Sequence, residues 1–269
     1  MKIIAEIGWN FMGDMSLAER MIKSAKESGA NIVKFQYWNP DNLATGAWDS
    51  DGRREIYKMA ALDEQKIGLL KAACGKYGVE CLFSVFSLSG AILMKDLGEM
   101  SIKIPSHEVA NFDLIRYSVD NFDRIFISTG ACTKSELKKV VKIIEQSGCM
   151  DKVCLMHCVS SYPVDDCDAN LRRILYLSKF GMAVGYSDHT QSTVIPAMSV
   201  AFGSTVVEKH FTSDKDLPGR DNKFALNAAE FKNMVENIHT AICAMADKGV
   251  DFQDIERDTV ENYRGRWGL

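Results

Sequence analysis

The sequence predicts an α/β protein, a single (β/α)8 barrel over residues 1–269 with a short C-terminal tail, from three observations. Short apolar runs rich in Ile, Val and Phe alternate with helical stretches eight times along the chain. At 269 residues the chain has the usual length of an eight-fold barrel. The stretch Gly8-Trp-Asn-Phe-Met-Gly13 lacks the glycine spacing that follows the first strand of a doubly wound open sheet, the alternative arrangement.

In order, Lys2–Ile7 reads as the first strand, and Ser16 is expected to cap a helix that Gly29 stops. Ile32–Tyr37 is the next strand, and a long polar loop is expected around Asp41–Asp51. Asp63 opens a helix that ends at Gly78. Strands are then expected at Val79–Phe86, Ser101–Ile104, Arg124–Ser128 and Lys152–Cys158. Helices at Ser89–Leu97, Phe112–Val119, Lys134–Gln146 and Asn170–Ser178 follow them in turn. Met182–His189 and Thr205–His210 are the last two strands, with helices at Val194–Phe202 and from about Ala228 to Asp247.

Composition excludes several classes. With 46% hydrophobic and 25% charged residues the chain is ordinary soluble globular protein. A net charge of -4 argues against nucleic acid or an anionic membrane as main partner. No apolar run approaches the roughly 18 residues that span a bilayer. Met1 leads straight into a strand, leaving no room for a signal peptide, so a cytoplasmic protein is expected. The eight cysteines are scattered without a Cys-x-x-Cys pair and read as reduced thiols. Zinc is not expected at Cys154-Leu-Met-His-Cys158, because an alternating strand points those side chains apart.

In a barrel the carboxyl ends of the strands carry the chemistry. Those ends bring Glu6, Lys34, Gln36, Ser84, Lys103, Ser106, Glu108, Ser128, Thr129 and His157. Ser160, Tyr162, Ser187, Asp188, His189, Glu208, Lys209 and His210 come after them. Two lysines, several hydroxyls and strand-end N–H groups suit a phosphate or a carboxylate. Two histidines ending adjacent strands can reach one metal ion and leave positions open for water or a carbonyl oxygen. Glu6 and Glu108 can act as general acid or base or hold a lysine in place.

Read as motifs, Ala5-Glu-Ile-Gly-Trp-Asn10, Val33-Lys-Phe-Gln36, Lys103-Ile-Pro-Ser106 and Ser128-Thr-Gly130 resemble those of the sialic acid synthase family. So do His157-Cys158 with Tyr162-Pro163, Gly185-Tyr-Ser-Asp-His-Thr190, Glu208-Lys-His-Phe-Thr212 and Pro218-Gly-Arg-Asp221, in family order over almost the whole chain. The resemblance implies a (β/α)8 barrel that uses Mn2+ or Mg2+. It implies condensation of phosphoenolpyruvate with an aldehyde sugar, such as N-acetylmannosamine, to a 3-deoxy-ulosonic acid. It implies His189 and His210 as metal ligands, and Lys34, Ser84, Lys103, Ser106, Ser128 and Ser187 around phosphoenolpyruvate. Glu6, Gln36, Glu108, Tyr162 and Asp221 fall around the acceptor and the reacting carbons. Ser160 stands where an Asn is common. A homo-oligomer, a dimer, is expected.

The chain also departs from the family pattern. Asn10-Phe11 replaces an Asn-His pair, which removes a polar group near the acceptor, and Val85-Phe86-Ser87 replaces Pro-Phe-Asp. Asn222 follows Asp221 where a His is frequent. The chain stops at Tyr263-Arg-Gly-Arg-Trp-Gly-Leu269, where family members lead into a small antifreeze-like domain, so such a domain encoded separately is a possible partner. Two other readings stand beside the synthase: a Schiff-base aldolase with Lys34 or Lys103 as nucleophile, and a non-catalytic binder that kept the donor pocket.

Overall fold

The computed structural model describes residues 1–268; Leu269, the end of the expected tail, lies outside the described residues. Eight parallel strands close into a barrel in chain order, which settles the choice against an open sheet. They are β1 (Lys2–Gly8), β2 (Ile32–Tyr37), β3 (Glu80–Val85), β4 (Ser101–Ile104), β5 (Arg124–Ser128), β6 (Val153–Cys158), β7 (Ala183–Asp188) and β8 (Val206–His210). β8 pairs back onto β1, with Glu6 opposite His210.

The period of two along each strand sorts the residues. Ile4, Ile32, Leu82, Phe126, Cys154, Met156 and Val206 form an apolar cluster of their own, the plug of the barrel interior. Two residues further along the same faces come Glu6, Lys34, Ser84, Ser128, Cys158 and Glu208. The interior therefore changes from apolar to polar in one step on six strands. The opposite strand faces pack under the helices in a larger cluster that includes Ile3, Val33, Phe83 and Ile125.

The helices are α1 (Met15–Glu27), α2 (Arg53–Ala60), α3 (Glu64–Tyr77), α4 (Leu88–Asp96), α5 (Phe112–Asn121), α6 (Lys134–Ser147), α7 (Arg173–Ser178), α8 (Ile195–Met198) and α9 (Ala228–Ala244). Asp14 rather than Ser16 caps α1, its carboxylate accepting from the Ser16 and Leu17 amides at 2.9 and 3.0 Å. Ser87, not Ser89, caps α4 by accepting from the Gly90 amide. The expected Val194–Phe202 helix is one short turn, α8, continued by a 3-10 turn at Ser199–Phe202. The segment read as a polar loop holds two 3-10 turns, Pro40–Asn42 and Ala47–Asp49, and is followed by α2. Ala60 is the buried residue of α2 among those described, so this helix offers no apolar stripe to read. No helix among the described residues is long and apolar enough to cross a membrane.

Candidate active site

A cavity of about 540 Å3 opens at the carboxyl ends of the strands. Glu6, Lys34, Gln36, Ser84, Lys103, Ser106, Glu108, Ser128, Tyr162, Ser187, His189, His210 and Asp221 all line it. Ser160 does not. Its hydroxyl lies behind Gly130, where an added Cβ would meet Ser160 Oγ at 2.5 Å and Ser106 Oγ at 2.8 Å. A side chain at position 130 would displace both hydroxyls, and the Ser160 hydroxyl is buried without a hydrogen-bond partner among the described residues.

The floor is organised around Glu208, a strand-end residue read from the sequence without a role. Its Oε1 accepts from Lys34 Nζ at 2.9 Å and from Ser187 Oγ at 2.9 Å, and its Oε2 from Lys103 Nζ at 2.7 Å. Burial works to raise the Glu208 pKa, but the two ammonium groups outweigh it and hold the carboxyl well below the usual range. Lys34 also lies 3.4 Å from Glu6 Oε2. Burial brings the Glu6 carboxyl up to about 7 despite Lys34. Gln36 Nε2 donates to Glu6 Oε1 at 2.6 Å. This contact needs room beside Gly8, which at φ +56 carries the register shift ending β1. A Cβ on Gly8 would sit 3.0 Å from Glu6 Oε1 and 3.1 Å from Gln36 Nε2. Burial lowers the pKa of Lys103, whereas its two carboxylate neighbours keep that of Lys34 above the ordinary value against burial. The Ser128 hydroxyl is buried at the floor without a hydrogen-bond partner.

Above the floor the two imidazoles face each other with ring centroids 5.4 Å apart. His189 Nδ1 lies 2.7 Å from the Val159 carbonyl, so that nitrogen donates and Nε2 is left as the acceptor. His210 Nδ1 is buried without a hydrogen bond, 3.8 Å from Asp221 Oδ2. Burial, together with the neighbouring His189, pushes the His210 pKa well below that of an ordinary imidazole. The Tyr162 ring packs on His189 at 4.1 Å and meets His210 edge-on at 6.0 Å. Asp221, its pKa raised by burial, accepts from Trp9 Nε1 at 2.9 Å. Among the described residues no three His, Cys, Asp or Glu side chains converge as a metal cage. The protein offers two imidazole nitrogens, not a closed site.

The mouth shows what the sequence reading missed. Trp38, Arg53 and Tyr57, from the segment between β2 and α3, form a wall with Trp9 and Phe86. Trp38 meets Tyr57, Phe86 and Trp9 with centroids 5.6, 6.1 and 6.2 Å away. Cys158 also lines the cavity, 3.8 Å from His189 Nδ1. Cys154 and Cys158, four apart, share the inward face, and the intervening His157 faces outward with Nε2 2.8 Å from the Ala169 carbonyl. Thr129, Asp188 and Lys209 are turned outward as well. Phe11 is 1% exposed, packs on Phe35 at 5.9 Å and lies outside the cavity lining, so it does not depolarise the acceptor pocket as expected. Ser87 does line it, but its hydroxyl serves α4. Asn222 ties the loop after β8 together, accepting from Thr212 Oγ1 at 2.6 Å and donating to the Pro218 carbonyl.

Buried, carboxylate-held lysines in a cavity at the carboxyl ends of barrel strands define an enzyme-like site suited to a small anion. Comparison narrows that class: the profile of the NeuB family matches residues 21–249, and the chain belongs to this family. It is 34% identical over 254 residues to the N,N'-diacetyllegionaminic acid synthase of Legionella pneumophila, covering 89% of this chain and 71% of that one. It is 33% identical over 264 residues to a pseudaminic acid synthase of Campylobacter jejuni, covering 94% and 77%. The solved N-acetylneuraminic acid (sialic acid) synthetase of Leptospira borgpetersenii, in complex with citrate, superposes with a TM-score of 0.88 at 30% identity, covering 98% of this chain and 92% of that one.

Proposed function

We propose that the chain condenses phosphoenolpyruvate with an aldehyde sugar, N-acetylmannosamine-like or a related aldose, giving a 3-deoxy-ulosonic acid and releasing phosphate. The observation that carries this is the floor. Lys34 and Lys103 share one carboxylate beside the unpartnered Ser128 hydroxyl and the Ser187 hydroxyl, at the end of an apolar plug. An entering phosphate or carboxylate meets two fixed ammonium groups there and gives up little in ordering them.

In the reaction, C3 of the enol bonds to the aldehyde carbon, and the aldehyde oxygen takes up a proton. Water then bonds to C2 and loses a proton. As its remaining O–H proton is given up to form the C2 carbonyl, phosphate leaves with the electrons of the C2–O bond. One of the two protons replaces that taken up by the aldehyde oxygen, and the other goes to phosphate or solvent. Glu6, with a pKa of about 7, is suited to exchange a proton near neutrality. Glu108, held by Asn111 Nδ2 at 2.9 Å, stands at the cavity wall to direct the water or face the positive charge at C2. Tyr162 and Asp221 border the acceptor.

His189 and His210 fit a divalent ion, Mn2+ or Mg2+: His189 has Nδ1 anchored on the Val159 carbonyl, and burial favours the neutral, ligating form of His210. Cys158 raises the His189 pKa against burial, so an entering ion would displace a proton there. When bound, the ion supplies Lewis-acid polarisation of the acceptor carbonyl. Eight free cysteines fit a reducing compartment, the cytoplasm.

Phosphate release from phosphoenolpyruvate, measured with a panel of aldoses, tests the proposal. Aldose-dependent release is the expected result. No release with any aldose points to the non-catalytic binder, and covalent trapping of pyruvate by borohydride at Lys34 or Lys103 points to the Schiff-base aldolase.

A further inference from the structure

Behind the imidazole pair, on the outer wall of the barrel, lies a buried row of side chains that the reaction does not touch. His157 pairs with Tyr186 across β6 and β7, and Asp188 with Lys209 across β7 and β8. The His157 ring stacks on Tyr186 at 5.5 Å. Tyr186 OH donates to Asp188 Oδ1 at 2.8 Å, and Lys209 Nζ donates to Asp188 Oδ2 at 2.5 Å. The same ammonium reaches the carbonyls of Thr190 and Ser192. Asp188 in turn accepts from the Thr190 amide and hydroxyl, both at 2.9 Å. Asp188, Thr190 and Lys209 are each 1% exposed.

A buried ion pair of this kind is weak evidence for stability. Desolvating a carboxylate and an ammonium costs about as much as their attraction returns, and apolar replacements of such pairs are often neutral or better. What a saturated buried pair does supply is one geometry. After Asp188 the chain leaves the sheet, so the carbonyls of Thr190 and Ser192 lose ladder partners, and Lys209 gathers them. His189 lies between Asp188 and Thr190, both bonded by Lys209, and His210 follows Lys209. Alternation turns both imidazoles inward while their neighbours lock together outside.

We infer that Lys209 and Asp188 are positioning residues that set the spacing and tilt of the His189 and His210 rings. One ammonium ties the loop after β7 to β8, the two elements that carry the rings. The metal arm of the test rests on the proposed ion; the other arm does not.

The variant to make is Lys209→Met with Asp188→Asn, which removes the pair without stranding a buried charge. Lys209→Met alone serves as the comparison for thermal stability, and the double variant is expected to melt closer to wild type. His189 packs on the Tyr162 ring, so its imidazole signals in metal-free protein are shifted by that ring. They can be assigned among the five histidines by their loss in His189→Ala. In the folded double variant these signals are expected to move toward those of a free imidazole, and Mn2+ affinity to fall by at least about tenfold. Unmoved His189 signals in a folded double variant overturn the inference. If the wild type takes up no Mn2+, the metal reading fails, and the imidazole signals alone decide the positioning role.

Discussion

The β6–β8 side of the cavity and its β2–α3 side hold their polar groups in different ways. On the first, Glu208, Ser187 and both histidines are buried, with Glu208, Ser187 and His189 held by hydrogen bonds and the His210 ring by packing against His189 and Phe224. On the second, Arg53 pairs with the exposed Asp51, Lys58 with the exposed Glu55, and Trp38, Tyr57 and Phe86 touch through ring edges. Exposed pairs of that kind contribute little, whereas an unpaired charge on the buried side is costly. On the proposed function, the donor chemistry falls on the buried, fixed side, and choice among acceptors on the side that can change without unfolding the barrel.

Variants on each side can break or sharpen that contrast. Glu208→Ala strands the buried Lys103 ammonium and leaves Lys34 with Glu6 alone, and is expected to cost about 3–5 kcal/mol in chemical denaturation. A loss below about 1 kcal/mol would mean that solvent already reaches the floor. Lys103→Ala is expected to weaken phosphoenolpyruvate binding by roughly 2–4 kcal/mol in titration calorimetry, the order for a lost charge-assisted contact in a desolvated site. An unchanged dissociation constant would place the phosphate elsewhere. His189→Ala and His210→Ala are each expected to lower Mn2+ affinity about a hundredfold while the circular dichroism spectrum stays that of wild type. Full metal content in both would remove the metal from the scheme.

Glu6 gives a pH signature. Its folded pKa of about 7 lies above the ordinary 4.5, so its contribution to stability is present at low pH and is lost as pH rises from about 4.5 through 7. Glu6→Gln is expected to be more stable than wild type at pH 8, by on the order of 2 kcal/mol, and to lose that slope. A wild-type stability that rises across the same window would reverse the assignment. The smallest effect is expected on the other side. Tyr57→Ala should raise the acceptor KM roughly tenfold, leave the phosphoenolpyruvate KM unchanged and alter stability by less than about 1 kcal/mol. Equal rises in both KM values would merge the two sides into one.

The same contrast separates what could be read from the sequence from what could not. Lys34, Ser84 and Ser128 were legible because each stands two residues beyond an apolar interior position on its own strand. Glu208 obeys the same spacing, yet its partners are 174 and 105 residues away, and no local pattern announces that two lysines close on one carboxylate. Ser160, expected at the substrate, is absent from the cavity lining, and its hydroxyl lies against Gly130, a contact no local motif announces. Arg53 and Tyr57 gave no signal, since α2 lies over the mouth with little of it buried. Phe11 looked like an altered acceptor residue beside Asn10, but the turn after β1 sends it against Phe35.

The mouth also carries its own optical reporter. Trp9 and Trp38 border the cavity, with the Trp9 indole N–H on Asp221. A ligand that displaces water there or moves Asp221 changes the surroundings of two indoles at once, and so their emission. Trp267, 94% exposed, adds a solvent-like background that Trp267→Phe removes, and Trp48→Phe removes the fourth indole of the sequence. Occupancy of the cavity mouth can then be followed by light, without turnover and without a labelled ligand.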